Sequence, residues 1–358
     1  MKKNICIVAG ARPNFVKVAP LMRVMANNEK AVCQLVYAGK SDDPTLEPSL
    51  FDDLQLPRPN VFLGVDCTSL NEITSRVMAE FDHYLDTQPT DVVIVVDDLA
   101  STMAAAIVTK KRGVKLAHLV AGTRSFDINM PKEINRLVID ALSDYLFTAG
   151  VKSNSVATRE QSETSQTYMV GNILMDNLRF NRSRLKEPVI PDVDNLGTQP
   201  YLVLTLNRKA LLADKTQLKE MLDEIISRNI TIIAPLRGMA HEVVSMLYPT
   251  VPACLHLTDS LPYLEFGWLT AHAAGIVTDS GNVAEEATFN SVPCITLNSY
   301  TEHQETVSVG SNVLVGGDRT LLGNALDILM KKEWKKCALP ERWDGRAAER
   351  IVQILLDD

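Results

Sequence analysis

The chain has 358 residues, of which 46% are hydrophobic and 22% are charged, a composition typical of globular proteins. This length predicts two domains with complete cores rather than one. The net charge of −8 argues against nucleic acid or an anionic membrane as a partner, because both repel an acidic surface. A few basic side chains and a helix terminus still suffice to bind a small anion.

The N-terminus and the cysteines predict a cytoplasmic protein. Residues 5–9 form an apolar run behind the first lysines that is too short for a signal peptide. No stretch of 18 apolar residues occurs, so no transmembrane span is predicted. The six cysteines lack C-x-x-C spacing and predict reduced thiols, and the six histidines lack metal-ligand spacing. We therefore predict neither a metal site nor a cofactor.

Strand and helix patterns alternate through the first half of the chain. Strands are predicted at residues 3–9, 34–39, 92–96, 115–120, 145–148 and 168–170. Helices are predicted after the first strand and at residues 70–85 and 103–109. Ser69 and Glu72 have the spacing of a capping box. The apolar run Val92–Val96 is typical of a central parallel strand and ends at Asp97 and Asp98, at the edge where open α/β sheets bind ligands.

A second series of strands follows a stretch with few apolar residues. Residues 181–198, which include Pro188 and Pro191, predict a linker. The strands that follow are predicted at residues 201–206, 230–235, 254–257, 275–278, 292–297 and 312–316. The alternation predicts two doubly wound, Rossmann-like α/β domains that face a cleft, over residues 1–180 and 199–344. An amphipathic pattern predicts a final helix within residues 345–358.

The most informative stretch is residues 278–305, TDSGNVAEEATFNSVPCITLNSYTEHQE. An apolar strand meets an Asp-Ser-Gly turn at residues 279–281, and a helical pattern follows from Asn282. The N-terminus of a helix exposes N–H groups and the positive end of a dipole, so the turn predicts an anion site that suits a diphosphate. Glu286, about one turn further on, can accept hydrogen bonds from the hydroxyls of a ribose. An ordinary strand-to-helix connection is the alternative for the turn alone.

This stretch resembles the UDP-N-acetylglucosamine 2-epimerase family. The family motifs are close to DSGGIQEE and TERPE, where this chain has Asn282 for the second glycine and His303 and Gln304 for Arg-Pro. Residues 10–17, GARPNFVK, resemble the family's GTRPE-x-x-K, with Asn14 in place of glutamate. The resemblance implies the two-domain architecture of GT-B glycosyltransferases, in which a C-terminal helix crosses back to the first domain.

The resemblance also implies a site for UDP or a UDP-N-acetylhexosamine. Arg12 and Lys17 would face the diphosphate, and Phe266 would stack on the uracil. A core phenylalanine is an equally good interpretation of Phe266. Arg237 replaces a family histidine and is interpreted either as a phosphate ligand or as a solvated side chain. The residues assigned to substrate binding are Arg12, Lys17, Arg237, Phe266, Ser280, Gly281, Glu286 and Glu302.

Three of the family's four proton-handling positions are substituted. The family eliminates UDP from UDP-GlcNAc to give a 2-acetamidoglucal and then adds UDP to the other face, which requires an acid and a base. Asp98 matches the first family carboxylate, with a helix-capping carboxylate as the alternative. The family's Glu, Glu and His are replaced by Val120, Lys132 and Asn207. Glu133 is present, but one residue along a helix is a rotation of about 100°. The remaining candidates for catalysis are Asp98, Glu133 and His303.

These substitutions leave three functions open. We expect an altered isomerase or UDP-sugar hydrolase, because Asp98, Arg12, Glu286 and Glu302 all match the family together. Epimerisation is expected to be weak or absent, since each acid–base group contributes about 10²–10⁴-fold. A GT-B glycosyltransferase with a UDP-sugar donor and a non-catalytic nucleotide-sugar-binding protein are the alternatives. By analogy with the family, the resemblance implies a role in polysaccharide biosynthesis and a homodimer.

Overall fold

The computed structural model describes residues 2–193 and 196–357. The chain forms two compact units. The first unit contains Met1–Phe180 and Glu341–Asp358, and the second contains Asn181–Pro340. Each unit has one parallel sheet whose strands alternate with helices along the chain. This arrangement confirms the prediction of two doubly wound α/β domains.

The first sheet has seven strands in the order β3-β2-β1-β4-β5-β6-β7. These strands are β1 Lys3–Ala9, β2 Ala31–Tyr37, β3 Val61–Phe62, β4 Val92–Val96, β5 Lys115–Leu119, β6 Tyr145–Thr148 and β7 Gln166–Met169. The helices between and after them are α1 Arg12–Ala26, α2 Pro48–Leu54, α3 Leu70–Thr87, α4 Ala100–Lys111, α5 Pro131–Leu142, α6 Val151–Glu160 and α7 Leu174–Asn181. Every residue of β4 is buried, as the apolar run predicted for a central strand.

The second sheet has six strands in the order β10-β9-β8-β11-β12-β13. These strands are β8 Tyr201–Thr205, β9 Thr231–Pro235, β10 Leu255–Thr258, β11 Gly275–Thr278, β12 Cys294–Thr296 and β13 Asn312–Leu314. Its helices are α8 Lys209–Ala213, α9 Lys215–Ile226, α10 Met239–Leu247, α11 Tyr263–Ala271, α12 Gly281–Asn290, α13 Glu305–Ser308 and α14 Arg319–Met330. Across the described parts of both units, no helix has the length and apolar character required to cross a bilayer.

The C-terminal helix, α15 (Ala347–Asp357), belongs to the first unit and packs against α1. Asp176 holds its start, because its two carboxylate oxygens accept hydrogen bonds from the N–H groups of Ala347 (3.1 Å) and Ala348 (2.9 Å). These bonds satisfy two of the N–H groups that a helix leaves unpaired at its N-terminus. Trp343, just before the helix, is fully buried and donates through Nε1 to a carbonyl of the first unit. The return of the helix that the resemblance implied is therefore present.

The start of α3 differs from the predicted capping box. The helix begins at Leu70, directly after Ser69, but the Ser69 side chain makes no capping hydrogen bond with any residue that the structure describes. Glu72 instead pairs with Arg76 one turn further on, with 2.9 Å between Oε1 and Nη2. A salt bridge at this spacing is favourable on a helix surface. The exposed glutamate therefore contacts a cation rather than the backbone of the cap.

The described part of the segment predicted as a linker lies within the second unit. Ile190 and Leu196 are buried in a hydrophobic cluster of that unit, with Tyr201 of β8 and Leu269 of α11. Residues 194 and 195 lie outside the described residues. The prolines of this segment therefore occur in irregular chain that packs on a domain.

Candidate functional site

Each sheet reverses its strand order at a point where predicted site residues lie. In the first sheet this switch point is between β1 and β4, and in the second it is between β8 and β11. Open α/β sheets bind ligands beyond the carboxyl ends of the strands at such a point. Residues 10–17 follow β1 and residues 97–98 follow β4. Residue 207 and residues 279–281 follow β8 and β11.

Lys17, which was predicted to face a diphosphate, is paired within the first unit. Its buried ammonium contacts Oδ1 of Asp97, and the Asn14 side chain donates to Oδ2 of Asp97 at 2.8 Å. Oδ1 of Asn14 accepts hydrogen bonds from the N–H groups of Gly10 (2.8 Å) and Ala11 (3.2 Å). These contacts fix the turn after β1 and give Lys17 a carboxylate partner within the first unit.

Asp98 lies between two cations from α5. Its Oδ2 accepts from Nε of Arg136 at 2.8 Å and lies 2.6 Å from Nη2, and its Oδ1 lies 3.5 Å from Nζ of Lys132. Burial raises the pKa of Asp98, but the charges of Lys132 and Arg136 and the hydrogen bond from Arg136 outweigh it, so the net pKa is below the ordinary value. Asp98 is therefore a carboxylate whose negative charge is already compensated.

Glu133 holds the loop that precedes α5. Its Oε2 accepts hydrogen bonds from both N–H and Oγ of Ser125 at 2.9 Å, and its Oε1 accepts from the N–H of Phe126 at 3.2 Å. Nη1 of Arg136 also donates to Oε2 at 3.2 Å. Burial raises the pKa of Glu133, but these hydrogen bonds and the Arg136 charge bring it below its ordinary value. Both carboxylate oxygens are thus in use within the first unit.

Val120 occupies a strained backbone conformation at the end of β5. Its φ is +75°, a region that β-branched residues rarely enter. The N–H groups of Val120 and Ala121 both donate to the carbonyl of Phe147, at 3.1 and 3.0 Å, and hold the chain in this geometry. Such strain costs about 1–3 kcal/mol and persists only where the surroundings impose it. The backbone here therefore keeps a special shape, although the valine side chain cannot exchange a proton.

A buried network of polar side chains stabilises the loop that contains Val120. His118 contacts Oδ1 of Asp140 through Nδ1 and the carbonyl oxygen of Asp97 through Nε2, the latter at 3.0 Å. Oδ2 of Asp140 accepts from the N–H of Gly122 at 3.0 Å and pairs with Nη1 of Arg124 at 2.7 Å. Burial raises the pKa of Asp140, but the charges of His118 and Arg124 lower it below its ordinary value. The network thus joins the ends of β4 and β5 to α5.

Arg12 opens α1 at the same edge of the first sheet. Its Nη2 lies 3.7 Å from Oε2 of Glu47, and the two side chains are 29% and 53% exposed. An exposed pair of this kind contributes at most about 1 kcal/mol. The pair with Glu47 therefore contributes little to holding the Arg12 side chain in place.

Asp279 joins the two loops at the switch point of the second sheet. Its buried Oδ2 accepts hydrogen bonds from the N–H groups of Asn207 (2.8 Å) and Arg208 (2.7 Å). Its carbonyl oxygen accepts from Nε of Arg208 at 3.1 Å. The Asn207 side chain, at the position predicted to replace a family histidine, belongs to an exposed residue. The structure therefore places residue 207 beside the turn that opens α12.

The start of α12 has the form expected of an anion site. The helix begins at Gly281, one residue earlier than predicted, with Ser280 as its N-cap. The Ser280 side chain makes no capping hydrogen bond within the described chain, and Gly281 and Asn282 are exposed. The first N–H groups of the helix and the positive end of its dipole therefore face solvent, an arrangement that favours a phosphate.

Two buried glutamates of α12 lie beside this turn. Glu286 is 9% exposed, and none of the described residues donates a hydrogen bond to it. Burial, and then the charge of Glu285, raises the pKa of Glu286 from 4.5 to about 7. Oε1 of Glu285 lies 3.1 Å from Nε2 of His303, which is itself mostly buried. His303, predicted as a proton-transfer candidate, thus has a carboxylate within ion-pair distance, although the geometry of this contact is not that of a hydrogen bond.

The remaining predicted ligands lie in less distinctive positions. Phe266 is half-buried on α11 and packs against a hydrophobic cluster of the second unit. Arg237 is exposed, and no ion pair or hydrogen bond joins it to another described residue. Glu302 is half-buried in the loop before α13. These positions suit both the ligand-binding and the ordinary interpretations of Phe266 and Arg237.

The sequence analysis missed several residues that organise the site. Arg136, Asp97 and Asp140 were assigned no role. Arg136 could have been found from its spacing, because residues three apart on a helix are neighbours and Glu133 precedes it by three. Asp97 offered a weaker signal, since the sequence places it only at the end of an apolar strand beside Asp98. Asp140 lies 22 residues from its partner His118, and only the pairing of β5 with α5 brings them together.

Comparison with known proteins extends the resemblance to the whole chain. The family model for UDP-N-acetylglucosamine 2-epimerase matches residues 23–356. A UDP-N-acetylglucosamine 2-epimerase of Methanocaldococcus jannaschii is 32% identical over 98% of both chains. A UDP-2,3-diacetamido-2,3-dideoxy-D-glucuronate 2-epimerase of Pseudomonas aeruginosa is 30% identical over 89% of this chain and 90% of its own. The crystal structure of the M. jannaschii UDP-GlcNAc 2-epimerase in complex with UDP-GlcNAc and UDP is 30% identical, covers 99% of this chain and 100% of its own, and has a TM-score of 0.85.

These matches are not confined to one motif or one unit. The family model spans both parallel sheets, and the solved relative has the same fold over almost every residue. The residues that carry the motif resemblance lie at the carboxyl ends of the central strands in both sheets. The chain therefore belongs to the UDP-N-acetylglucosamine 2-epimerase family.

Proposed function

We propose that this chain binds a UDP-sugar and that its 2-epimerisation of UDP-GlcNAc is weak or absent. The observation that carries the proposal is the state of Asp98, the one family proton-handling group that the sequence retains. Arg136 occupies one of its oxygens and Lys132 lies beside the other. A carboxylate held by two cations, with a lowered pKa despite burial, is a poor proton acceptor.

The residues proposed to bind the nucleotide match the family motifs better than the proposed proton-handling positions do. The open N-terminus of α12 supports a diphosphate, and Glu286 offers a buried carboxylate to which none of the described side chains or amides donates. A ribose has two hydroxyls that could donate to it. The relatives from M. jannaschii and P. aeruginosa are named for UDP-sugars that differ in the sugar. UDP is therefore the part of the ligand that we assign with the most support.

The chemistry requires proton transfer at both faces of C2, and few groups are placed to supply it. Val120 cannot exchange a proton, and Asn207 cannot do so near neutral pH. Glu133 is held by Ser125, Phe126 and Arg136, so we assign it to positioning the loop. Each missing acid or base costs about 10²–10⁴-fold in rate. The Glu285–His303 pair is the other arrangement that could take part, since the histidine ring lies within ion-pair distance of a buried carboxylate.

Incubation with UDP-GlcNAc in deuterated water, followed by proton NMR, tests the proposal. Slow exchange of the C2 proton, or slow release of UDP, is the expected result. Exchange at the rate of an active relative, such as the M. jannaschii enzyme measured beside it, would refute the claim of weak epimerisation. Binding without either reaction would favour a non-catalytic nucleotide-sugar-binding protein. The ion pairs and hydrogen bonds that already engage the carboxylates of Asp98 and Glu133 also support that function.

Binding itself is tested by calorimetric titration with UDP. Ser280→Trp should weaken binding strongly, because the indole would cover the N-terminus of α12. Thr216→Trp, at an exposed position near the start of α9, is the matched control and should bind UDP like the wild type. Equal affinity in all three proteins would place the nucleotide elsewhere.

A further inference from the structure

Strand β7 is an outer strand of the first sheet, and a groove of about 380 Å³ runs beside it. The groove is lined by residues 167–170, by Asn154 of α6, and by Gln353 and Ile354 of α15. The helix α6 joins β6 to β7, whereas α1 joins β1 to β2 in the opposite direction along the sheet, so right-handed crossovers place α6 and α1 on opposite faces. The helix α15 packs against α1. This edge groove therefore follows β7 and has one helix from each face of the sheet as its walls.

The outward backbone groups of β7 are available for pairing. The N–H groups of Gln166 and Val170 donate to carbonyls of residues 144–148, on the β6 side, at 2.8 and 3.1 Å. Because successive residues of a strand direct their backbone groups to opposite sides, the N–H groups of Thr167 and Met169 point away from β6. Neither N–H donates to any group of the described chain. Such an edge is a template for an added strand.

Arg342 lies in the edge groove with most of its donors unused. The side chain is exposed, and its Nη1 donates to the carbonyl of Met169 at 2.6 Å. A guanidinium has five N–H donors, and no carboxylate of the described residues lies within ion-pair distance of this one. Arg350, also in the groove, is paired with Asp344. The backbone of Arg342 is held in place, since a Cβ on Gly171 would lie 2.0 Å from its carbonyl oxygen. The groove therefore has an uncompensated positive charge at the carboxyl end of β7.

We propose that the edge groove binds an extended peptide whose C-terminal carboxylate meets Arg342. A peptide parallel to β7 continues the parallel sheet and ends where Arg342 lies. The outward N–H groups of Thr167 and Met169 pair with its backbone, and the guanidinium binds its carboxylate through charge-assisted hydrogen bonds. A small anion would use the guanidinium but leave those N–H groups unpaired. The groove contains none of the residues assigned to UDP, so this proposal does not rest on the proposed function.

Fluorescence anisotropy with an N-terminally labelled pentapeptide, KTVTV, tests the role of the carboxylate. The alternating threonine and valine favour an extended strand. The peptide with a free C-terminus should bind about fivefold more tightly than the same peptide ending in an amide, as for a partly exposed ion pair. Arg342→Met should abolish this ratio. Arg346→Met removes an exposed arginine just outside the groove and, as the matched control, should keep it. Tighter binding of both peptides by Arg342→Met would show that Arg342 blocks the edge and would overturn the proposal.

Thr167→Pro tests the backbone pairing, because proline removes an outward N–H and is tolerated on an edge strand. Both peptides should bind this variant about tenfold more weakly, as for a lost hydrogen bond. Thr167→Val keeps the N–H and should bind like the wild type. Circular dichroism verifies that each variant is folded.

Hydrogen exchange in the wild-type protein gives a second measurement that needs no variant. Exchange of residues 166–170 should slow when the free-acid peptide is added. Unchanged exchange there, full binding by Thr167→Pro, or displacement of the peptide by an equal concentration of acetate would overturn the proposal.

Discussion

Glu286→Gln should make the second unit more stable at neutral and alkaline pH and weaken its binding of UDP. Glu286 is buried on α12 without a described hydrogen-bond donor, and its neighbour Glu285 is an acid as well. A carboxylate in such surroundings resists ionisation, which is why burial and Glu285 raise the pKa of Glu286 from 4.5 to about 7. Glutamine has nearly the same shape and carries no charge at any pH.

The direction of the effect follows from proton binding. Between pH 4.5 and about 7 the native protein holds a proton on Glu286 that the unfolded chain has released. The free energy of unfolding therefore falls as pH rises through this window, and the contribution is fully present only below it. Because each tenfold change in proton affinity corresponds to about 1.4 kcal/mol, the total contribution of Glu286 is about 3 kcal/mol. The glutamine variant lacks this decline.

Denaturant unfolding of both proteins at about pH 5 and about pH 8 measures the difference between their free energies of unfolding, which should grow by about 2.5 kcal/mol in favour of Glu286→Gln. Glu333→Gln, at an exposed position of the same unit, should give a difference that does not change with pH. If Glu286→Gln also gave a constant difference, the carboxyl would titrate like an exposed glutamate and the reasoning would be refuted. The same variant should bind UDP more weakly, since glutamine has one acceptor oxygen where the carboxylate has two.

Three further predictions concern the first unit and the reaction. Arg12→Ala should weaken UDP much more than uridine, because a charge-assisted contact with the diphosphate is worth about 1.5–3 kcal/mol; equal losses in titrations with the two ligands would exclude contact with the phosphates. Asp140→Asn should lower the free energy of unfolding by about 3–5 kcal/mol, since it removes the carboxylate that pairs with the buried His118 and one of the two carboxylates that pair with the buried Arg124. A loss within about 0.5 kcal/mol in denaturant unfolding, as at an ordinary surface position, would contradict the proposed network. Exchange of the C2 proton of UDP-GlcNAc should rise when the family's groups are restored together by Val120→Glu, Lys132→Glu and Asn207→His, and an unchanged rate would show that the backbone no longer holds those positions as the family does.

The fold could be predicted from periodicity because nearly every strand is a short apolar run of a parallel sheet. Val92–Val96 is buried at every residue, so its sequence carries no competing polar signal. Element ends were less predictable. Val292 and Leu297 are buried and apolar, but β12 includes only Cys294–Thr296, because the paired register with β11 and β13 covers those three residues. The N–H of Leu297 still donates to the carbonyl of Thr278 in β11 at 2.8 Å, so the apolar run extends slightly beyond the strand. Hydrophobic pattern reports burial, whereas the bounds of a strand are set by its partners.

The candidate site was predictable where one motif contains all its parts and unpredictable where distant segments meet. The turn at Ser280 and Gly281 is local, so its sequence was sufficient. The partners of Lys17 and His303 were not, because Asp97 and Glu285 lie 80 and 18 residues away along the chain. No spacing rule connects such residues before the order of the strands and the packing of the helices are known.

Two unusual features shape the edge of the first sheet. Asp97 supplies the carboxylate for Lys17, and Asn14 links that carboxylate to the turn after β1. Asp97 even keeps a φ of +60°, a conformation that glycine adopts more easily. At position 120 the valine keeps an equally unusual backbone but returns no polar group. The framework that shapes the edge of the sheet is thus maintained at a cost in strain, while the Val120 side chain offers no group for proton exchange. A rigid edge without a proton-exchanging side chain at this position supports the proposal that the chain binds a UDP-sugar and epimerises it slowly.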